Sequence, residues 1–379
     1  MVDRPRPATL EQLPTPAAVI DLARVQRNTA HMAARARRLG VRLRPHVKTH
    51  KCVAVARLQV ADHFGGITVS TLAEAEHFAA AGFDDIIFAV PIAPGRVPRA
   101  VALAARIGRL TLLVDDDVAI DALEAAATHG AISVCLKVDC GYHRAGVDPT
   151  SEAALGLARR LHAAPNLVFA GILAHAGHSY DCVGADAIRA VAEEERAVTV
   201  GFAERLRAAG VPVGEVSVGS TPTSMLADDL TGVTEIRPGN YALFDVFQAS
   251  IGSCTADDIA LSVVTEIMGA YPDRGSLLVD AGALALSKDP GPRHVRVDGG
   301  FGLVCDLAGT PLPGFTLVGL CQEHGKIRLS PGTPLHGLRV GDRLRIMPNH
   351  SCLVTALHAR LYVAEGRRIV DEWRPVRGW

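Results

Sequence analysis

Apolar positions along this chain follow two periods in turn. From about Val41 to Asn240, short β-branched or apolar runs alternate with longer, Ala-rich amphipathic stretches. The short runs are VRLRPHVK (41–48), GITVS (66–70), IIFAV (86–90), LTLLVD (110–115), ISVCLKVD (132–139), LVFAGILAH (167–175), EVSVGS (215–220) and VTEIRPGN (233–240). Between them lie stretches such as TLAEAEHFAAAG (71–82), RAVALAARIG (99–108) and ADAIRAVAEEERAVTVGFAERLRAAG (185–210). Each closes on a glycine, which is a helix stop. Strands alternating with helices pair as parallel βαβ units. Eight such runs predict an α/β fold, a (β/α)8 TIM-type barrel. An open doubly wound sheet is the alternative, and no GxGxxG follows the first strand to favour its dinucleotide-binding form. A helix over 21–40 precedes the first strand and would pack outside the barrel.

Beyond about Ser250 the long helical patterns end. Strand patterns follow over 260–269, 276–286, 315–330, 342–350 and 359–373, separated by turn signals such as PDRG, PLPG and AEGRR. The expected organisation is a barrel over 15–250 and a smaller, mainly-β domain over 251–379, with residues 1–14 packing against the latter.

Composition narrows the partners. Hydrophobic residues make up 49% and charged residues 21%, values of a globular chain. With 39 Lys+Arg against 40 Asp+Glu, no basic excess exists to draw nucleic acid or anionic membrane. The start, MVDRPRPATLEQLP, is polar and Pro-broken rather than a secretory signal. The longest apolar runs fall far short of the ~20 residues a membrane span needs. A cytoplasmic protein with neither nucleic-acid nor membrane partner is expected. Eight cysteines without a CxxC pair read as reduced thiols, with Cys135 a small core residue.

A (β/α)8 barrel carries its chemistry at the C-terminal ends of its strands. The first run ends in RPHVKTHK, and strand period two places His46 and Lys48 on one face, opposite Val47. A lysine desolvated there loses basicity and can form a Schiff base. The fifth run ends in VDCGYHRAG, bringing Asp139, His143 and Arg144, the last suited to an anionic oxygen. The sixth brings His175, His178 and Tyr180 from AHAGHSYD. The seventh, SVGSTPTS, offers backbone N–H groups and hydroxyls at Gly219, Ser220, Thr221 and Thr223, a phosphate cradle where such barrels keep one. The eighth adds Gly239, Asn240 and Tyr241. A lysine, an arginine, histidines and a phosphate cradle at one mouth point to pyridoxal 5′-phosphate (PLP) on Lys48. In the β domain, PNHSC places His350 and Cys352 on one strand face, an imidazole and a thiolate suited to Zn2+. Two ligands leave positions open for water and substrate. Cys305, His324 and His358 are further candidates.

These motifs carry a resemblance. LPTPAAVIDLARVQRN (13–28), RPHVKTHK (44–51), GSTPT (219–223), EIRPGNYALFD (235–245) and PNHSC (348–352), in this order, resemble the D-threonine aldolase and D-serine dehydratase family. Its members are fold-type III PLP enzymes related to alanine racemase. The resemblance implies a homodimer, Lys48 as the lysine that carries PLP, Arg144 near the cofactor's phenolic oxygen and His175 near its pyridine ring. It implies that the GSTPT loop and Gly239–Tyr241 hold the phosphate, and that His350 and Cys352 hold a divalent metal, Zn2+ or Mn2+. The chain departs from the bacterial aldolases in two places: HAGHSYD stands for their YHGxxQH, and His350-Ser351-Cys352 for their His-x-Asp. His178 and Tyr180 are therefore substitutes for the catalytic base, and the His-x-Cys pair is closer to the zinc-dependent D-serine dehydratases. The activity implied is that of a PLP-dependent, metal-assisted lyase on D-3-hydroxy-α-amino acids. The first reading is retro-aldol cleavage to glycine and an aldehyde. The alternative is β-elimination to a 2-oxo acid and ammonia, with an amino-acid racemase behind both.

Overall fold

A computed structural model describes residues 6–61, 63–127 and 130–379. They divide into two compact units. One holds Ala30–Lys48, Ala56–Gly239 and Val376–Trp379; the other holds the described residues through Thr29, Thr49–Val55 and Asn240–Pro375.

In the first unit all eight runs contribute strands to one parallel sheet: Arg42–Leu43, Ile67–Val69, Asp85–Pro91, Arg109–Val114, Ile132–Lys137, Leu167–Leu173, Glu215–Val218 and Glu235–Ile236. Neighbours pair in sequence order from the second strand to the eighth, and the eighth returns to the first, with Arg42 opposite Glu235 and Leu43 opposite Ile236. A parallel bridge between His46 and Thr68 closes the ring on the other side. The fold is thus a (β/α)8 barrel. Helices between strands begin at side-chain caps: Thr71 accepts from the Glu74 amide, Asp116 from Val118 and Ser151 from Ala154.

The barrel interior mixes apolar and charged layers. Ile87, Leu113, Cys135 and Leu173 form one buried cluster, which places Cys135 in the core as its apolar context predicts. Arg44 is fully buried, and its guanidinium bonds Glu235 at 2.9 Å and both Asp85 oxygens at 2.8 and 3.1 Å. Glu235 also accepts the Ser217 hydroxyl at 2.6 Å. An ion buried this deeply persists only when its partners complete its hydrogen bonds.

The second unit is the mainly-β one. Leu261–Tyr271, Ser276–Val279, Gly325–Leu329, Pro311–Leu320, Gly302–Cys305 and Arg343–Pro348 pair antiparallel in that order, and the last returns to the first, closing a smaller barrel. Ala17–Asp21 extends this sheet, antiparallel to Leu261–Tyr271 and parallel to Leu361–Glu365. It lies within the stretch expected to be barrel (15–250). Its four consecutive buried residues, Ala17–Ile20, need cover on both faces, and two flanking strands supply the sheet position for that. Leu10 and Leu13 pack in the same cluster as Ala17, Val19 and Val264. None of the eight cysteines takes part in a disulfide. Among the described residues no helix is long and apolar enough to cross a membrane.

Candidate active site

Lys48 does sit beyond the end of the first barrel strand, but not on a strand face. Regular pairing stops at Leu43, and Val47–Thr49 is a 3-10 turn. Pro45 lacks the N–H that would continue the ladder. The shared face of His46 and Lys48 predicted from strand period is therefore not formed. His46 instead knits the strand ends together. Its N–H donates to the Pro238 carbonyl at 2.9 Å, and its ring meets the Lys48 amide at 3.4 Å and the Ser70 hydroxyl at 3.3 Å. Gly239 makes this approach possible, because a Cβ there would lie 2.6 Å from the His46 carbonyl oxygen. The turn bearing Lys48 is thus held from two neighbouring strands, and Lys48 itself is half-buried.

His175 lies at the end of the sixth strand. Burial, followed by the nearby charges of Lys48, Arg144 and Lys137, holds its pKa well below 6.5, so the ring is neutral. Its Nδ1 is 3.2 Å from the Gly219 carbonyl, which can only accept, so the proton is on Nδ1 and the lone pair on Nε2. Tyr142 joins the cluster. Its ring stands edge-on to His175 with centroids 6.3 Å apart and lies under the Arg144 guanidinium at 5.2 Å. Gly177 leaves room for it, since a Cβ there would meet the Tyr142 ring at 2.1 Å. His178 is tilted against the same ring, with Nε2 3.7 Å from Glu194 Oε2, and neither ring nitrogen makes a hydrogen bond. Tyr180 is half-buried on the same short turn, Gly177–Asp181. His143 points elsewhere: it is exposed and bonded to Asp139 at 2.8 Å.

The GSTPT loop is built differently from the expected open cradle. The Gly219 N–H is taken by Glu195 Oε1 at 3.0 Å, and the Ser220 N–H by Thr223 Oγ1 at 3.0 Å. Ser220 and Thr223 form a capping box on the helix Thr221–Leu226, which uses both hydroxyls. What remains for a ligand are the Thr221 and Ser224 hydroxyls, both buried without a hydrogen-bond partner. Glu195 organises the region. It is 1% exposed and also accepts from the Ala176 amide at 2.8 Å and the Thr223 hydroxyl at 3.0 Å.

Lys137, at the end of the fifth strand, is buried and donates to the Val138 carbonyl at 2.9 Å. Burial pushes its pKa down from 10.5 to about 8. The fold therefore prefers the neutral amine. Below about pH 8 the native state carries the cost of charging it, and that cost fades as pH rises toward 10.5. Lys137→Met is accordingly expected to be more stable than the parent at pH 7, with the difference vanishing near pH 10, as read by urea unfolding at each pH.

In the second unit His350 and Cys352 also leave the strand predicted for them. Pairing ends at Pro348, His350 caps the helix Ser351–Leu357, and Cys352 lies in its first turn. The turn still brings them together, with the thiol within hydrogen-bonding reach of the imidazole. Cys352 Sγ lies 3.2 Å from Thr49 Oγ1, and Asn240 Nδ2 approaches it at 3.9 Å. The Asn240 amide is otherwise committed to Asp245 and Ser351, at 2.7 and 3.0 Å. Tyr241 is fully buried in the same unit. Burial opposes the His350 cation. Hydrogen bonds to Asp289 and Cys352, with the charges of Cys352 and Asp245, outweigh it and raise the pKa to about 11. Among the described residues no group of three or more His, Cys, Asp and Glu side chains gathers as a metal site, so Cys305, His324 and His358 do not complete the pair.

Two family models cover most of the chain. The model of the alanine racemase N-terminal domain matches residues 20–245, and a serine dehydratase domain model matches 260–364. D-threo-3-hydroxyaspartate dehydratase of Delftia sp. is 45% identical over 378 residues, 98% of this chain and 99% of that protein. Its solved structure superposes with a TM-score of 0.93, covering 98% of this chain and 100% of the other. The chain belongs to the D-serine dehydratase and D-threonine aldolase family of PLP-dependent lyases. D-serine dehydratase of Dictyostelium discoideum is 36% identical, covering 98% of each chain. The structure of D-threonine aldolase from Filomicrobium marinum, 26% identical and covering 98% of each chain, has a TM-score of 0.85. Solved structures of D-threo-3-hydroxyaspartate dehydratase, 44–45% identical to this chain, include a histidine-to-alanine mutant and a cysteine-to-alanine mutant in a metal-free form.

The residues fit what the family implies. The partnerless Thr221 and Ser224 hydroxyls suit phosphate oxygens. A neutral imidazole beside Lys48 and Arg144 suits a pyridine ring next to its lysine. The anionic surroundings that favour a positive charge on His350 suit a divalent cation. Sequence reasoning missed Glu195, Lys137, Tyr142 and Asp289. Glu195 alone left a signal, since it falls on the apolar stripe of its helix between Ala192 and Thr199.

Proposed function

We propose that this chain is a dehydratase of D-3-hydroxy-α-amino acids, converting substrates of the D-serine and D-threo-3-hydroxyaspartate type to a 2-oxo acid and ammonia. Retro-aldol cleavage, the first reading of the sequence, becomes the second. The observation that carries this choice is the pairing of His350 with a cysteine sulfur where the bacterial aldolases place a carboxylate. The 45% identity to a D-threo-3-hydroxyaspartate dehydratase along the whole chain supports it.

PLP held through Lys48 would supply the electron sink for a carbanion at Cα, and a divalent cation on His350 and Cys352 a Lewis acid for the β-hydroxyl. Lys48 Nζ takes the Cα proton. His175, with its proton fixed on Nδ1 by Gly219, would offer the cofactor a lone pair rather than a charge. Arg144 would brace the phenolic oxygen, and the Thr221 and Ser224 hydroxyls would donate to the phosphate. Gly219, Ser220 and Gly239 act through the backbone that shapes this pocket. His178 and Tyr180 carry the proton that the leaving hydroxide requires. Loss of the Cα proton and of hydroxide from the β-carbon leaves a Cα=Cβ enamine. A proton returned to the β-carbon turns it into the 2-imino acid, whose C=N bond water hydrolyses to the 2-oxo acid and ammonia. A racemase would need a second base across from Lys48 and has no use for the His350–Cys352 pair. A homodimer is part of this proposal.

The test is a product assay. Enzyme loaded with PLP and Zn2+ or Mn2+ is incubated with D-serine, D-threonine and D-threo-3-hydroxyaspartate. 2-Oxo acid and ammonia in equal amounts, without glycine, are expected. Glycine and an aldehyde as the main products would replace the dehydratase with the aldolase.

A further inference from the structure

The segment Ser287–Gly291 is held in an unusual conformation at both ends. Ser287 has φ 65°, in the left-handed region that residues with a side chain rarely adopt. Gly291 has φ 72°, and a Cβ there would sit 2.9 Å from the Asn349 side chain. Between them Asp289 turns toward His350. Its Oδ2 meets His350 Nδ1 at 2.8 Å, and its Oδ1 accepts the Gly291 N–H at 2.8 Å. The Asp289 carbonyl accepts from Asn349 Nδ2 at 3.1 Å, and the same amide group donates to the Gly300 carbonyl at 2.9 Å. Two consecutive residues, Asn349 and His350, are thus fastened to one strained turn. Such conformations persist where the surroundings over-determine them, and they collect at functional sites.

The chemistry of the contact is directional. A carboxylate can only accept, so the Asp289 bond places the proton of a neutral His350 on Nδ1 and leaves the lone pair on Nε2. Cys352 approaches the same ring. Histidines that bind metals commonly donate their other N–H to a carboxylate, which fixes the tautomer and the ring orientation.

We propose that Asp289 is a positioning residue for the divalent cation: it locks His350 as the Nδ1–H tautomer and aims Nε2, together with the Cys352 sulfur, at the metal. This rests on the His350–Cys352 pair being the metal site of the proposed dehydratase. Asp289 need not touch metal or substrate. Its contribution is the direction and donor strength of the imidazole.

The experiment measures Co2+ and Zn2+ affinity of the PLP-loaded protein by competition with a chromophoric chelator, with the thiolate-to-cobalt absorption band as a report on Cys352. The parent is expected to bind one ion per chain with that band. His350→Ala and Cys352→Ala should lose tight binding. Asp289→Asn and Asp289→Ala should bind about 10–100-fold more weakly, with partial recovery in Asp289→Glu. Asn349→Ala breaks the same clamp without removing the ring's partner, and is expected to bind more tightly than Asp289→Asn. Parental affinity in Asp289→Asn, or an equal loss in Asn349→Ala, would overturn the positioning role. Undiminished binding in both His350→Ala and Cys352→Ala would remove the metal pair, and this proposal with it.

Discussion

Replacing Lys48 with alanine is expected to lower kcat by at least about 10³-fold while leaving the fold intact. The lysine is asked to do two things, to hold the cofactor and to move the Cα proton. Lys137 is the nearest rival, since burial lowers its pKa to about 8. Its ammonium, however, is turned back onto the Val138 carbonyl. Lys48 is half-buried on a 3-10 turn whose backbone is held by His46. The apo variant should therefore unfold within about 1 kcal/mol of the parent, whereas PLP no longer co-elutes with it on gel filtration. A Lys48→Ala enzyme that keeps parental turnover would refute the role.

Loss of the metal pair is the second large effect. Cys352→Ala and His350→Ala are each expected to reduce kcat/KM for the D-3-hydroxy substrate by roughly 10²–10³-fold, the share of a Lewis acid in breaking a C–O bond. Treatment of the parent with chelator should reproduce the loss, and Zn2+ or Mn2+ should restore activity to the parent but not to the variants. The visible spectrum of bound PLP should be unchanged in both variants, because Lys48, His175 and the Thr221 loop are intact. Activity that survives chelation and both substitutions would leave a metal-free reaction, and a racemase would return as the reading.

Much of this could be read in the chain because parallel barrel strands are buried on both faces. Near-continuous apolar runs such as ISVCLKV and LVFAGILA then stand out against Ala-rich helices ending in glycine. The ends of those runs carry Lys48, Arg144 and His175, and in the fold the charges of the first two act on the His175 ring. What failed was the extrapolation of strand period past the last ladder bond. Pro45 ends the first strand early, and a helix begins directly after His350, so both predicted side-chain faces are turns. The Gly219 and Ser220 amides read as free donors, yet Glu195 and Thr223 occupy them. The Glu195 contact spans 24 positions, which local pattern cannot reveal, whereas the Ser220–Thr223 capping box is local and its spacing could have shown it. Asp289 is separated from His350 by 61 positions, and in sequence its turn resembles any surface loop. Ala17–Asp21 lies inside the stretch expected to be barrel (15–250) yet pairs in the other sheet, since five residues carry no mark of their strand partner.

Borohydride reduction of the yellow holoenzyme, followed by proteolysis and peptide mass mapping, addresses the covalent cofactor most directly. The pyridoxyl group should be found on the peptide containing RPHVKTHK, at Lys48. A label at Lys137 or elsewhere, with Lys48 unmodified, would contradict the account at its root.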